Sequence, residues 1–149
     1  MPGIIVGIDG SDHSEYALKW AMKEAAIRHA PLTVIIVHPV IAGFSGRAVA
    51  YPTDAALVDK ARETAREEVD KALAQLGAPG PETVTIQAVS GFPAEVLITA
   101  GRDADMIVVG SRGSGGFKRL LLGSVSSQVT HHADCPVVVI PSGARSGQA

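Results

Sequence analysis

Cysteine is nearly absent: Cys135 is the only one in 149 residues. An internal disulfide, a cysteine-rich metal site and a CxxC redox pair are therefore excluded, and a reducing, cytoplasmic setting is expected. Aromatic residues make up only 4%, too few for the stacking platforms of single-strand nucleic-acid binders. The formal net charge is −2, so no broad positive field draws the chain to nucleic acid or to an anionic membrane. Neither is expected as a partner. No apolar run approaches the ~20 residues of a membrane span. The first residues, Met1-Pro2-Gly3-Ile4, have no basic stretch and run directly into a strand-like segment, so a signal peptide is not expected.

What is present fits one soluble α/β domain. Hydrophobic residues make up 46% and charged residues 19%, and the length allows a substantial core. Ile4-Ile5-Val6-Gly7-Ile8-Asp9 is a β-branched run closed by the turn signal Asp9-Gly10-Ser11, as in a buried strand. Asp12 and Glu15 stand three apart like a capping box. Ala17, Leu18, Ala21, Met22 and Ala25 follow at helical spacing, predicting a helix over about 13–29 that Pro31 ends. Leu32 to Val37 is apolar on both faces, the pattern of a parallel sheet covered on both sides. Residues 39–53 read as a loop.

Val58, Ala61, Ala65, Val69, Ala72 and Leu76 trace one face of a long helix, with Gly77 placed to terminate it. Residues 83–89 alternate like a half-exposed edge strand. Pro93 opens a helix reaching about Gly101. The run Asp105 to Val109 predicts the fourth strand, a helix follows over about 124–133, and Pro136 to Ile140 is the last strand, its proline suggesting a sheet edge. Residues 1–141 form one domain and 142–149 a small, polar, flexible tail. The β-α-β-α-β-α-β-α-β order implies a doubly wound five-stranded parallel sheet with helices on both faces. Ligands of such sheets bind at the carboxyl ends of the strands, where strand order reverses. The loops after the first and fourth strands are the two candidates.

The second of these loops carries Gly110-Ser111-Arg112-Gly113, then nine residues, then Gly123-Ser124 at a helix start. Glycines let a backbone approach closely, and free N–H groups of a first helical turn suit a phosphate. The G-x-x-x-x-G-K-[ST] loop fails because position 116 is Gly, and G-x-G-x-x-G fails because Gly113 and Gly115 are followed by Lys118. The pattern that fits is G-x2-G-x9-G-[ST].

That pattern resembles the ATP-binding signature of the universal stress protein family. The similarity extends through Val6-Gly7-Ile8-Asp9-Gly10-Ser11, His38, Ala104 to Gly110, Leu122-Gly123-Ser124-Val125 and Cys135 to Ile140. It implies an adenine nucleotide alpha hydrolase-like sheet of order 3-2-1-4-5 and ATP as ligand, with Mg²⁺ alongside. By the same resemblance Asp9 holds the ribose and nearby phosphate region and is the candidate Mg²⁺ contact. Gly10 and Ser11 line the nucleotide, Val109 and Gly110 sit against sugar and adenine, and Gly113, Gly123, Ser124, Val125 and Ser126 cradle the phosphates. The residue after His38 offers its main chain to the adenine edge; here it is Pro39, which has no N–H to donate, and Val40 is the alternative donor.

Blander roles stand beside these. Gly110 and Gly113 also serve as turn glycines, Asp9 as a capping acid, and Ser124 or Ser126 as helix N-caps. Arg112, Lys118 and Arg119 belong to a solvated loop face, His131 and His132 to a helix C-terminus that favours positive charge, and Cys135 to the buried, inert thiols. With no phosphate-loop lysine and no dedicated general base, hydrolysis is expected to be slow at most. The chain thus reads as a nucleotide-binding regulatory module of the stress response. The alternatives are a dimeric interaction module, its pocket empty or binding AMP or cyclic AMP, and a flavin-linked electron carrier. A homodimer through Val137 to Ile140 is expected, since bare apolar edges invite pairing.

Overall fold

The computed structural model describes residues 3–39, 54–112 and 123–141. Along the chain these form β1 (Ile4–Ile8), α1 (Asp12–Arg28), β2 (Leu32–Pro39), α2 (Asp54–Gln75), β3 (Val84–Gly91), α3 (Pro93–Ala100), β4 (Met106–Gly110), α4 (Ser124–His132) and β5 (Val137–Ile140). The strands make one sheet of order β3-β2-β1-β4-β5, every neighbouring pair parallel. The expected doubly wound order is the observed one.

Strand alternation divides the core in two. Ile4, Val6 and Ile8 of β1, Leu32, Val34 and Ile36 of β2, and Met106 and Val108 of β4 pack with the inner faces of α1 and α2. Ile5, Ile35, Ile107 and Val109 point the other way, onto Ala94 and Leu97 of α3 and Val129 of α4. The central strands are apolar throughout because both of their faces are covered. In β3 only Ala88 is buried, while Thr85 and Gln87 are exposed, as its edge place requires. Gly7 brings α3 close: a Cβ there would lie 2.8 Å from Leu97 Cδ1.

Some local details differ from the sequence expectations. Ser11, not Asp12, caps α1, its side chain accepting from the Ser14 N–H. A hydroxyl one residue earlier reaches the third helical amide, which leaves Asp12 as the first helical residue. Gly123, not Ser124 or Ser126, occupies the N-cap of α4 and makes no side-chain cap bond. The helix after Pro93 closes on Gly101 and continues as one 3-10 turn, Gly101–Asp103. Cys135 is half-buried rather than buried, and burial raises its thiol above the usual range. Gly77, in the left-handed region at φ 68°, follows α2 as expected.

Candidate functional site

The chain leaves β1 toward β2 on one side, and β4 returns to pair with β1 on the other. The carboxyl ends of β1 and β4 therefore lie side by side where strand order reverses. The residues beyond β1 are wound into a compact turn. The Asp9 N–H donates to Ser14 Oγ at 3.3 Å, while the Ser11 N–H and hydroxyl both donate to Asp9 Oδ1, at 2.9 and 2.5 Å. The Ser14 hydroxyl donates to the Ser11 carbonyl at 3.0 Å. These bonds fix the orientation of the Asp9 carboxylate at an exposed strand end. Gly10 has φ 81°, a conformation that side chains disfavour. Its missing Cβ would lie 3.6 Å from Thr64 Cγ2 on α2.

The end of β4 is built on the Ser111 peptide. Its N–H donates to the Ile140 carbonyl of β5 at 2.8 Å, and its carbonyl accepts from the Gly123 N–H at 2.5 Å. The same carbonyl accepts from the Ser126 hydroxyl at 3.2 Å, which also lies 3.1 Å from the Gly123 carbonyl. The first turn of α4 is thus tied directly to the end of β4. A Cβ on Gly110 would stand 3.2 Å from the His13 carbonyl, so glycine lets α1 close over this strand end. Val109 is buried on the α3 and α4 side, which leaves its main chain as the part a ligand can reach.

The helices that follow β1 and β4 start at these two strand ends, and their N-termini differ electrostatically. That of α1 is capped by Ser11 and carries Asp12 and Glu15 in its first turn. Beside it, burial and then the Glu15 carboxylate push the Glu68 carboxyl above the usual range, with smaller contributions from Asp12 and Asp9 against an opposing one from Lys71. Lys71 and Lys19 each stand 3.5 Å from Glu15. The N-terminus of α4 has a glycine cap and no acidic residue in its first turn. The first amides of a helix lack intrahelical partners, and the helix dipole there favours an anion. Among the described residues, the α4 N-terminus is therefore less negative in its surroundings than that of α1.

The fold accordingly brings Asp9, Gly10 and Ser11 together with Val109, Gly110, Gly123, Ser124, Val125 and Ser126 along one sheet edge. Pro39 ends β2 on the far side of β1, exposed and in register with Gly91. Gly113, Lys118, Arg119 and Val40 lie outside the described residues. Ser14 and Ser111, which hold the two turns, were not singled out from the sequence; the Ser11-x-x-Ser14 spacing was the available signal for the first. Among the described residues, no group of three or more His, Cys, Asp or Glu is placed to hold a metal ion. No helix among them is long and apolar enough to cross a membrane.

The parallel sheet of order β3-β2-β1-β4-β5, with its strand order reversing between β1 and β4, defines a doubly wound, Rossmann-like α/β protein. Residues 2–141 match the profile of the universal stress protein family. A universal stress protein of Mycolicibacterium smegmatis is 38% identical over 143 residues, covering 93% of this chain and 47% of that relative. Universal stress protein UspA from Lactobacillus plantarum has a similar structure, with a TM-score of 0.75 at 25% identity over 93% of this chain and 97% of its own. The universal stress protein of Archaeoglobus fulgidus in complex with dAMP gives a TM-score of 0.58 at 25% identity, covering 94% of this chain and 98% of that one. This chain belongs to the universal stress protein family. It spans about half the length of the curated relatives it matches.

Proposed function

We propose that the chain is a regulatory module of the stress response that binds ATP between the loops after β1 and β4. The observation that carries this reading is the pairing of the bare α4 N-terminus with the pre-oriented Asp9 carboxylate on adjacent strand ends. The phosphates lie against the main-chain N–H groups of Ser124, Val125 and Ser126 and against Gly123, with Gly113 completing the loop. Asp9 accepts from the ribose hydroxyls, with Gly10 and Ser11 alongside. The base then extends away from α4, past β1 toward Pro39. Val109 and Gly110 border the sugar through their main chain. Any Mg²⁺ travels with the phosphates, with Asp9 its protein contact.

Thermal unfolding with millimolar ATP and Mg²⁺ tests this. A ligand at 100 times its Kd stabilises by about 2.7 kcal/mol. At about 2–4 °C per kcal/mol for a domain of this size, Tm rises by roughly 5–11 °C. No rise contradicts the proposal.

A second reading is that AMP or cyclic AMP is the ligand; Pro39, which would meet an adenine common to all these nucleotides, weakens the base contact without choosing among them. Its carbonyl accepts from an adenine amino group, but it has no N–H for the ring nitrogen, which costs about 0.5–1.5 kcal/mol. The Archaeoglobus relative in complex with dAMP supports a nucleotide with one phosphate. Competition among ATP, ADP, AMP and cyclic AMP separates the two readings. The assembly is a cytoplasmic homodimer joined through Val137 to Ile140, whose side chains are only half-buried at the sheet edge.

A further inference from the structure

Ser126 is 2% exposed, and its hydroxyl points into the protein rather than toward a ligand. It donates to the Ser111 carbonyl at 3.2 Å and lies 3.1 Å from the Gly123 carbonyl. Those two carbonyls belong to the end of β4 and to the N-cap of α4. Ser111 is itself fastened to β5 through its N–H and the Ile140 carbonyl. The buried hydroxyl thus joins the Gly123 N–H in tying the first turn of α4 to the end of β4. Alanine is the better helix former at this third helical position, so the preference of an isolated helix does not account for the serine.

We infer that Ser126 is a positioning residue for the phosphate-bearing end of the ligand. It holds the main-chain donors of Ser124 and Val125 at the carboxyl edge of β4. The inference rests on the nucleotide reading above but assigns the hydroxyl a separate task. Binding of the phosphates depends on it; binding of the nucleoside does not.

The substitution Ser126→Ala isolates that task, because it strands no group. The Ser111 carbonyl keeps the Gly123 N–H, and the Gly123 carbonyl keeps the Ser127 N–H at 2.9 Å. A matched control is Thr130→Ala, which removes a bond of the same type one turn later, from Thr130 Oγ1 to the Ser126 carbonyl at 2.6 Å. Calorimetric titration of the full chain with ATP, AMP and adenosine is the assay, with circular dichroism confirming that each variant is folded. For Ser126→Ala, the ATP Kd rises about three- to tenfold, the AMP Kd rises less, and the adenosine Kd is unchanged. Thr130→Ala leaves all three at their native values.

Equal weakening of adenosine and ATP in Ser126→Ala, or an unchanged ATP Kd, overturns the inference and leaves the nucleotide reading standing. A native chain that binds none of the three overturns both. Amide exchange on the native protein supplies a measurement free of substitution: inorganic triphosphate slows exchange at Ser124 and Val125 if the turn is where phosphate is held, and unchanged exchange refutes it.

Discussion

Placing a carboxylate at the start of α4 has opposite effects on the free and the liganded protein. Ser124 is exposed and is the first residue of a helix with a glycine cap and no acidic first turn. In Ser124→Asp the new charge meets the positive end of the helix and its open amides, worth about 0.3–1 kcal/mol. At about 2–4 °C per kcal/mol, the unliganded Tm rises by roughly 1–4 °C. Toward a phosphate the same charge is repulsive. Two unit charges about 4 Å apart differ by ~1 kcal/mol in water and ~4 kcal/mol at an effective dielectric constant near 20. With about 1.4 kcal/mol per tenfold, ATP binding weakens by roughly fivefold to several hundredfold. Scanning fluorimetry of both proteins, with and without ATP, reads both effects at once. A variant that melts higher alone yet keeps the full ATP-induced shift would show that the phosphates sit elsewhere. A variant that melts lower alone would refute the picture of an uncapped, electrostatically bare α4.

Other positions give independent checks. Gly7→Ala sets a Cβ 2.8 Å from Leu97 Cδ1, and such overpacking costs about 1–3 kcal/mol; in a double-mutant cycle with Leu97→Val the two effects are non-additive by chemical denaturation. Glu68 is held above the usual carboxylate range chiefly by burial and by Glu15, so the folded chain retains a proton that the unfolded chain gives up near pH ~4.3. Stability on this account falls as pH rises through that window. Glu68→Gln therefore melts higher than the native chain at pH 7, and the difference vanishes below the carboxylate range; an unchanged difference across pH would contradict the electrostatic cause. In β5, Pro136 and Ile140 turn their carbonyls to β4, so by the strand's two-residue period the Val139 N–H faces outward. On the proposed dimer, Val139→Pro leaves the β4 ladder intact and lowers the mass seen by light scattering from dimer to monomer; an unchanged mass contradicts that pairing.

The architecture was legible because each strand and helix carried a pattern with one physical reading. Two-faced apolar runs at Ile4 to Ile8 and Leu32 to Val37 require coverage on both sides, and the alternation of β3 requires an edge; the observed sheet has both. Spacing also placed the turn after β1 and the start of α4 at one end of the sheet. Caps were less legible, since Ser11 and Asp12 are both good N-cap residues and the choice depends on which side chain reaches the Ser14 N–H. The role of Ser126 was hidden for a different reason. A hydroxyl at a helix start reads equally as ligand or cap, and only its contact with Ser111, 15 residues away in sequence, distinguishes a third role. Pro39 shows the converse: its missing N–H is plain from the sequence, but its consequence depends on where the base lies.

The most direct test of the nucleotide cleft is a residue-by-residue map of amide chemical shifts as ATP is added to the native chain. The largest changes fall on Gly123, Ser124, Val125 and Ser126, with a second group at Asp9, Gly10 and Ser11. His29 and Glu82, at the opposite edge of the sheet beside a shallow hollow, stay fixed. Changes that spare the first turn of α4, or that gather around His29 and Glu82, would contradict the assignment of the cleft.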